Sequence, residues 1–227
     1  MPPVRFWDIL SDSERAELMK SGRSRRFRAG DRIFSETDDD SGWAGVITEG
    51  KCRVVASHQD GTGTYLALRQ AGDIIGEMAA IRRGRRSATV TAVTTLGLHV
   101  VARTTFQTLL SSHPSLMKHL LVVMIERLRE ADQCQADLAV AATELRLSRL
   151  LFRLANAEGV ATEEGIELTG FTQLELAGWC GISRESVVRH MRKLETMGIL
   201  ASSQKRQRRL LVRDIERLGE HALQSPS

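Results

Sequence analysis

After Pro114 glycine vanishes from the chain until Gly159, and Met117, Leu121, Met124, Leu128, Ala131, Gln135, Leu138 and Ala142 follow one another at alternating steps of four and three. This spacing is a heptad seam and predicts a long helix with one apolar edge. Such an edge needs a partner. Polar Glu126, Arg127, Arg129, Glu130 and Asp132 flank it, so a parallel homodimer is expected in preference to a helix packed on its own domain.

Ahead of the seam the texture is different. Ser11 with Glu14 three residues later is a capping-box pattern, continued by a short helix through Arg15 to Lys20. From Phe27 to Val101 short β-branched or aromatic segments alternate with turn signals. The predicted strands are Arg32 to Phe34, Ala44 to Thr48, Cys52 to Ala56, Tyr65 to Leu68, Ala88 to Val93 and Leu96 to Val101, separated by turns such as Ala29-Gly30-Asp31, Glu49-Gly50-Lys51 and Ala71-Gly72-Asp73. Evenly spaced short strands argue for an antiparallel barrel or sandwich. Behind the seam, Leu145 to Ala155 reads as a helix and Gly159 to Gly170 as a loop with a strand around Ile166 and Leu168. Three elements then follow closely: Thr172 to Trp179, Ser183 to Met197, and a hairpin over Ile199 to Val212. The expected class is α+β, with a strand-rich domain over 1–112, a dimerisation helix and hinge over 113–142, and a C-terminal domain over 143–227. Ala139 to Thr143 is the expected hinge.

Composition narrows the function classes. With 227 residues, 42% hydrophobic and 26% charged, the chain suits one or two soluble domains. A net charge of +4 permits a nucleic-acid partner without requiring one. The longest apolar run, Leu120 to Ile125, is far short of the roughly 20 residues of a membrane span. No apolar leader opens the chain, so a cytoplasmic protein with no membrane partner is expected. Cys52, Cys134 and Cys180 form no CxxC pair and read as reduced thiols. Gly45 to Lys51 fits GxxxxGK, but Cys52 stands where a magnesium-binding hydroxyl belongs and strand-forming residues fill the middle. No HExxH or nucleophile elbow is present, so no catalytic or metal-binding residue is assigned.

The segment FTQLELAGWCGISRESVVRHMRKLETMGIL is the most informative. Thr172 caps a first helix that ends at Gly181, and Ser183 caps a second. Two short helices joined by a tight glycine turn make a helix-turn-helix, with Leu176, Ile182, Val187, Met191 and Leu194 on its inner face. Arg184, Glu185 and Arg189 stand on the outer face of the second helix, where N-terminal residues reach base edges in the major groove. Arginine pairs bidentately with guanine and a carboxylate accepts from cytosine N4, so the trio suits a G-C-containing step. The basic run containing Lys205, Arg206, Arg208 and Arg209 fits a hairpin tip that grips phosphates.

These features together resemble the CRP/FNR family of transcription regulators over nearly the whole chain, from about Phe27 to Val212. The resemblance rests on Gly30, Gly50, Gly72 and Gly76, the block GEMA followed by RRSATV, and the string SRESVVRHM. It implies an N-terminal, jelly-roll-like β-roll that binds a small effector, a long dimerisation helix and a C-terminal winged helix. It further implies double-stranded DNA and RNA polymerase as partners, and a TGTGA-like palindrome as the operator. In the cyclic-AMP-responsive branch the GEMA and RRS block is a phosphate-binding cassette. Carried over, Gly76 and Met78 offer backbone contacts, Glu77 accepts from the ribose 2′-hydroxyl, and Arg86 with Ser87 hold the cyclic phosphate. The physics is consistent with this: a helical turn at Glu77 to Ile81 aims backbone N–H groups at an anion, Arg86 offers a charge-assisted fork, and a ribose hydroxyl gives Glu77 a donor. An internal Glu–Arg ion pair at a barrel corner is the alternative for the same residues.

One departure concerns the base. The family's pair of hydroxyl residues that contact adenine falls on Ala131 and Asp132. Alanine offers no hydrogen bond, and a carboxylate accepts only. The resemblance implies cyclic AMP first, and cyclic GMP is the rival, because guanine presents two neighbouring donors on one edge to a carboxylate such as Asp132. Oxygen-sensing relatives need an N-terminal cysteine set, and no cysteine precedes Cys52. Two further alternatives are an effector-independent regulator and a ligand-binding module that works through protein contacts.

Overall fold

The computed structural model describes residues 4–38, 42–57, 63–82, 84–140, 143–169, 171–201 and 209–223, and the side chains of 133–140 and 143–144 lie outside that description. Two compact units result: residues 1–57 with 65–132, and residues 58–64 with 133–227.

The first unit opens with α1 (Asp12–Lys20) and the strands β1 (Arg23–Phe27), β2 (Arg32–Phe34), β3 (Trp43–Glu49), β4 (Lys51–Ser57), β5 (Gly63–Gln70) and β6 (Ile74–Ile75). The short helix α2 (Glu77–Arg82), β7 (Thr89–Ala92), β8 (Leu96–Ala102), α3 (Arg103–Ser112) and the long α4 (Pro114–Val140) follow. The strands form two four-stranded sheets, ordered β1-β8-β3-β6 and β2-β7-β4-β5. Side chains of β8 alternate between two cores, as the period of two in a strand requires. Leu96, Leu98 and Val100 meet Ile33, Phe34, Cys52 and Val90 between the sheets. Val101 faces the other way, into a core with Leu18 of α1, Phe106 of α3 and Leu116, Leu120 and Val123 of α4. Burying those three α4 side chains contributes roughly 1.5–3 kcal/mol each and docks the start of the long helix on the first sheet.

The expected capping box at α1 is present: Glu14 N donates to Ser11 Oγ (3.3 Å) and Ser11 N donates to Glu14 Oε2 (2.7 Å). His119 of α4 stands 3.6 Å from the same carboxylate. Burial pushes the Glu14 carboxyl upward, but hydrogen bonds from Ser115 and Ser11 and the charge of His119 outweigh it and hold the group below its ordinary value.

The second unit contains α5 (Thr143–Glu158), β9 (Val160–Thr162), β10 (Gly165–Thr169), α6 (Gln173–Cys180), α7 (Arg184–Thr196), β11 (Arg209–Val212) and α8 (Ile215–Leu223). Its sheet is ordered β11-β10-β9, and Leu200 bridges Val212 as the expected hairpin requires. Helices α5 and α8 are joined by a buried Ser148 Oγ···His221 Nδ1 hydrogen bond (3.1 Å) and by Arg149 Nε donating to the Ala222 carbonyl (2.8 Å). Cys180 is buried and free, and burial pushes its thiol up to about 12, which makes it inert.

Several elements were not anticipated: β1, β6, α3, β9 and α8. Strand β1 reads RSRRF, with four exposed residues in succession, because it is the edge of its sheet and its register is set by β8 (Arg23 opposite Val100, Phe27 opposite Leu96). The GxxxxGK stretch begins inside β3, where Gly45 pairs with Val100 and with Ile75, so no phosphate loop forms there. Of the seam, Met117, Leu121 and Leu128 are exposed, whereas Met124 is half-buried against the first core. The side chains of Gln135 and Leu138, residue Ala142 and part of the expected hinge lie outside the described residues. Among the described residues no helix is long and apolar enough to cross a membrane.

Two turn glycines separate conformational strain from collision. Gly30 (φ 89°) has open space where a Cβ would stand, whereas at Gly50 (φ 82°) a Cβ would run into the Thr95 carbonyl. Gly30→Ala is expected to cost about 1–2 kcal/mol and Gly50→Ala clearly more, read as the difference in unfolding midpoint. Equal losses at the two positions would show that the β8 side of the Gly50 turn yields at no cost.

Candidate anion cradle and nucleic-acid interface

The block IIGEMAAIRRGRRSATV folds as β6, a turn at Gly76, helix α2 and an irregular return into β7. Gly76 sits at φ 77°, and a Cβ there would collide with the Arg86 guanidinium and crowd the Trp43 carbonyl. Only glycine suits both the backbone and the space. Helix α2 begins at Glu77, so its first free N–H groups follow this turn, as the sequence predicts.

The two ends of the cradle do not face an empty cavity. Glu77 is 3% exposed, and its Oε1 accepts from Arg127 Nη1 at 2.8 Å. The other arm of Arg127, Nη2, donates to the Ile74 carbonyl at 2.6 Å. Arg127 is therefore no solvated flank of the helical seam, as its sequence position suggests; its side chain is 18% exposed and turned into the roll. Burial pulls the Arg127 pKa down, with Glu77, Asp73 and Glu130 opposing and Arg69 adding to the fall. Arginine nonetheless keeps its charge. Asp73 lies beneath: burial raises its pKa against the Gln70 N–H and the charges of Arg69, Arg127 and Arg5.

Arg86 also turns inward. It is 2% exposed, and Nη1 donates to the carbonyls of Trp43 (3.0 Å) and Gly76 (3.1 Å). Its guanidinium carbon lies 4.3 Å from the Phe34 ring centroid and 4.4 Å from that of Trp43, which is cation–π geometry. Met78 and Ser87 are exposed and touch one another, Ser87 Oγ to Met78 Sδ at 3.7 Å. Gly76, Glu77, Arg86, Met78 and Ser87 thus come together around one turn. Asp132, on α4, is exposed. Arg127 is the participant that sequence reasoning missed; its only signal was a basic residue one step from the seam position Leu128.

In the second unit the helix-turn-helix forms as expected. Thr172 Oγ1 accepts from Glu175 N (3.2 Å) and Glu175 Oε2 accepts from Thr172 N (2.6 Å), a full capping box on α6. Gly181 closes α6 in the left-handed conformation (φ 62°, ψ 42°), and Ser183 caps α7 by accepting from Ser186 N at 3.2 Å. Val187, Met191 and Leu194 are buried, while Arg184, Glu185 and Arg189 are all exposed. Arg189 Nη2 reaches Ser186 Oγ at 3.4 Å, so the first turns of α7 carry a short polar chain from Ser183 to Arg189. Of the basic hairpin tip, Lys205, Arg206 and Arg208 lie outside the described residues; Arg209 opens β11 and pairs with Glu167 at 3.4 Å.

Comparison with known proteins agrees with this division. The cyclic nucleotide-binding domain family matches residues 24–113, and the Crp-like helix-turn-helix domain family matches residues 145–221. The chain is 26% identical over 208 residues to a CRP-like cAMP-activated global transcriptional regulator of Mycobacterium tuberculosis, covering 91% of each. It is 30% identical over 155 residues to the cyclic AMP receptor protein of Thermus thermophilus, covering 68% of this chain and 69% of that protein. A solved CRP/FNR-family transcriptional regulator, also from Thermus thermophilus, superposes with a TM-score of 0.72 at 24% identity, over 90% of this chain and 100% of the other. With a cyclic nucleotide-binding domain ahead of a Crp-like helix-turn-helix, this chain belongs to the CRP/FNR family of transcriptional regulators.

Proposed function

We propose that the protein is a cytoplasmic homodimer that binds a pseudo-palindromic, TGTGA-like DNA site and is controlled by a cyclic purine nucleotide, cyclic AMP first and cyclic GMP second. Its work is binding, not catalysis, and RNA polymerase is the partner through which a bound regulator acts. The observation that carries the reading is helix α7, which buries Val187, Met191 and Leu194 and turns Arg184, Glu185 and Arg189 outward to meet base edges. The dimer is supported by α4. Leu116, Leu120 and Val123 are buried while Met117, Leu121 and Leu128 on the same helix are 45%, 59% and 62% exposed, an apolar stripe that a second copy covers. Two recognition helices in such a dimer reach successive major grooves about 34 Å apart. Nucleotide control is supported by the turn at Gly76 with Glu77, Arg86 and Ser87 around it. Glu77 keeps lone pairs for a ribose hydroxyl while it holds Arg127, and Asp132 is exposed on α4, where the family reads the base.

A second reading is favoured by one observation. Glu77 is already paired with Arg127 and Arg86 is enclosed, as in a regulator that needs no effector.

A mobility-shift series on a TGTGA palindrome, with and without each nucleotide, separates the readings. Under the first, affinity rises with cyclic AMP or cyclic GMP, and Arg184→Ala lowers it by about 5–150-fold at the guanine it reads. Nucleotide-independent binding together with no calorimetric heat from either compound supports the second. Binding that falls with salt but shows no sequence preference removes both. Leu121→Glu is expected to give a monomer by sedimentation, with DNA affinity lost; a dimer unchanged by this charge would remove α4 from the interface. Arg127→Ala should cost about 3–5 kcal/mol of stability because it strands a buried carboxylate, whereas Glu77→Gln with Arg127→Met should cost much less. Equal losses in the two variants would show that packing, not charge, ties α2 to α4.

A further inference from the structure

An arginine that takes a phosphate from solvent needs an accessible N–H edge, and Arg86, at 2% exposure, presents almost none. What encloses it is specific. Phe34 comes from β2 in one sheet and Trp43 from β3 in the other, and their rings meet edge to face at 5.4 Å and 73°. The guanidinium lies against both, and Trp43 also contributes its carbonyl. We propose that Phe34 and Trp43 form an intramolecular clamp that competes with an anionic effector for Arg86, and so act as positioning residues that set the affinity of the cradle. The inference rests on the nucleotide reading above and adds to it the element that restrains binding.

The two jaws differ. Phe34 is 7% exposed and locked in the core between the sheets. Trp43 is half-buried, follows Gly42, and lines a cavity of about 500 Å³ with Val100, Ala102 and Arg23. Trp43 packs at the edge of the same core as Phe34 but is the less enclosed of the two, and is the jaw that yields when Arg86 turns to a phosphate. The attraction being surrendered is a desolvated cation–π contact, worth roughly tenfold in an equilibrium, and indole is its strongest aromatic partner. The carbonyl that accepts from Arg86 is main chain and survives substitution of the side chain.

The experiment is calorimetric titration of the full-length protein, as wild type, Trp43→Phe and Trp43→Leu, with cyclic AMP and with cyclic GMP. Affinity for whichever nucleotide binds should rise from Trp through Phe to Leu, with Leu about tenfold tighter than wild type, and Arg86→Leu should abolish binding in each background. A purely structural Trp43 would lower the melting temperature and leave affinity flat across the series, and that result overturns the clamp while the effector reading stands. No heat from any variant with either nucleotide overturns both. Should Trp43→Leu fail to fold, Trp43→Phe keeps an aromatic jaw and decides the matter by the direction of its change.

Discussion

The buried ion pair between Glu77 and Arg127 is the contact on which the N-terminal unit turns. It joins the first residue of α2 to the helix that carries the exposed apolar stripe, at 2.8 Å and with side-chain exposures of 4% and 18%. Both charges have lost most of their water, so neither can be withdrawn without leaving the other stranded. Arg127 is fixed further by the Ile74 carbonyl, just ahead of the cradle, and feels the charge of Asp73. Helix α4 is thereby wired to the backbone of the β6–α2 turn as well as packed on the sheet through Leu116, Leu120 and Val123.

This pair corrects a sequence argument without discarding its conclusion. From sequence alone Glu77 needs a donor, and a ribose hydroxyl is one. In the structure the donor is already present. A carboxylate has about four lone-pair sites, so on the nucleotide reading proposed above an incoming hydroxyl would join Arg127 rather than replace it, and its binding would reach α4 through a shared acceptor. Local sequence did not reveal this because Arg127 is adjacent to the seam residue Leu128 and lies among charged neighbours. Which way such a residue faces is decided by where α4 docks on the roll, a tertiary fact.

Elsewhere legibility followed the range of the forces involved. The caps at Ser11, Thr172 and Ser183, the left-handed Gly181 and the positive-φ turns at Gly30, Gly50 and Gly72 are local devices, and each was readable with its element. The outward set Arg184, Glu185 and Arg189 was readable for the same reason, since the apolar period of α7 fixes the face that remains. Strand β1 was not, because nothing within RSRRF favours a strand and its pairing is supplied by β8, some seventy residues away. The inward turn of Arg86 was hidden likewise: its partners Phe34, Trp43 and Gly76 come from three separate segments.

The ion pair and the aromatic clamp are coupled through a single peptide unit. Arg86 holds the Gly76 carbonyl, and Glu77 is the next residue. Gly76 sits at φ 77°, and its carbonyl and the N–H of Glu77, the first residue of α2, belong to one peptide. Movement of Arg86 toward a phosphate would take one of two donors from this carbonyl, which keeps the N–H of Ala80 at 3.2 Å, and the peptide it belongs to carries the N–H of Glu77. On the nucleotide reading proposed above, the phosphate end and the ribose end of the cradle would share this peptide, so a change at Arg86 would bear on the Glu77 that holds Arg127 and, through it, α4.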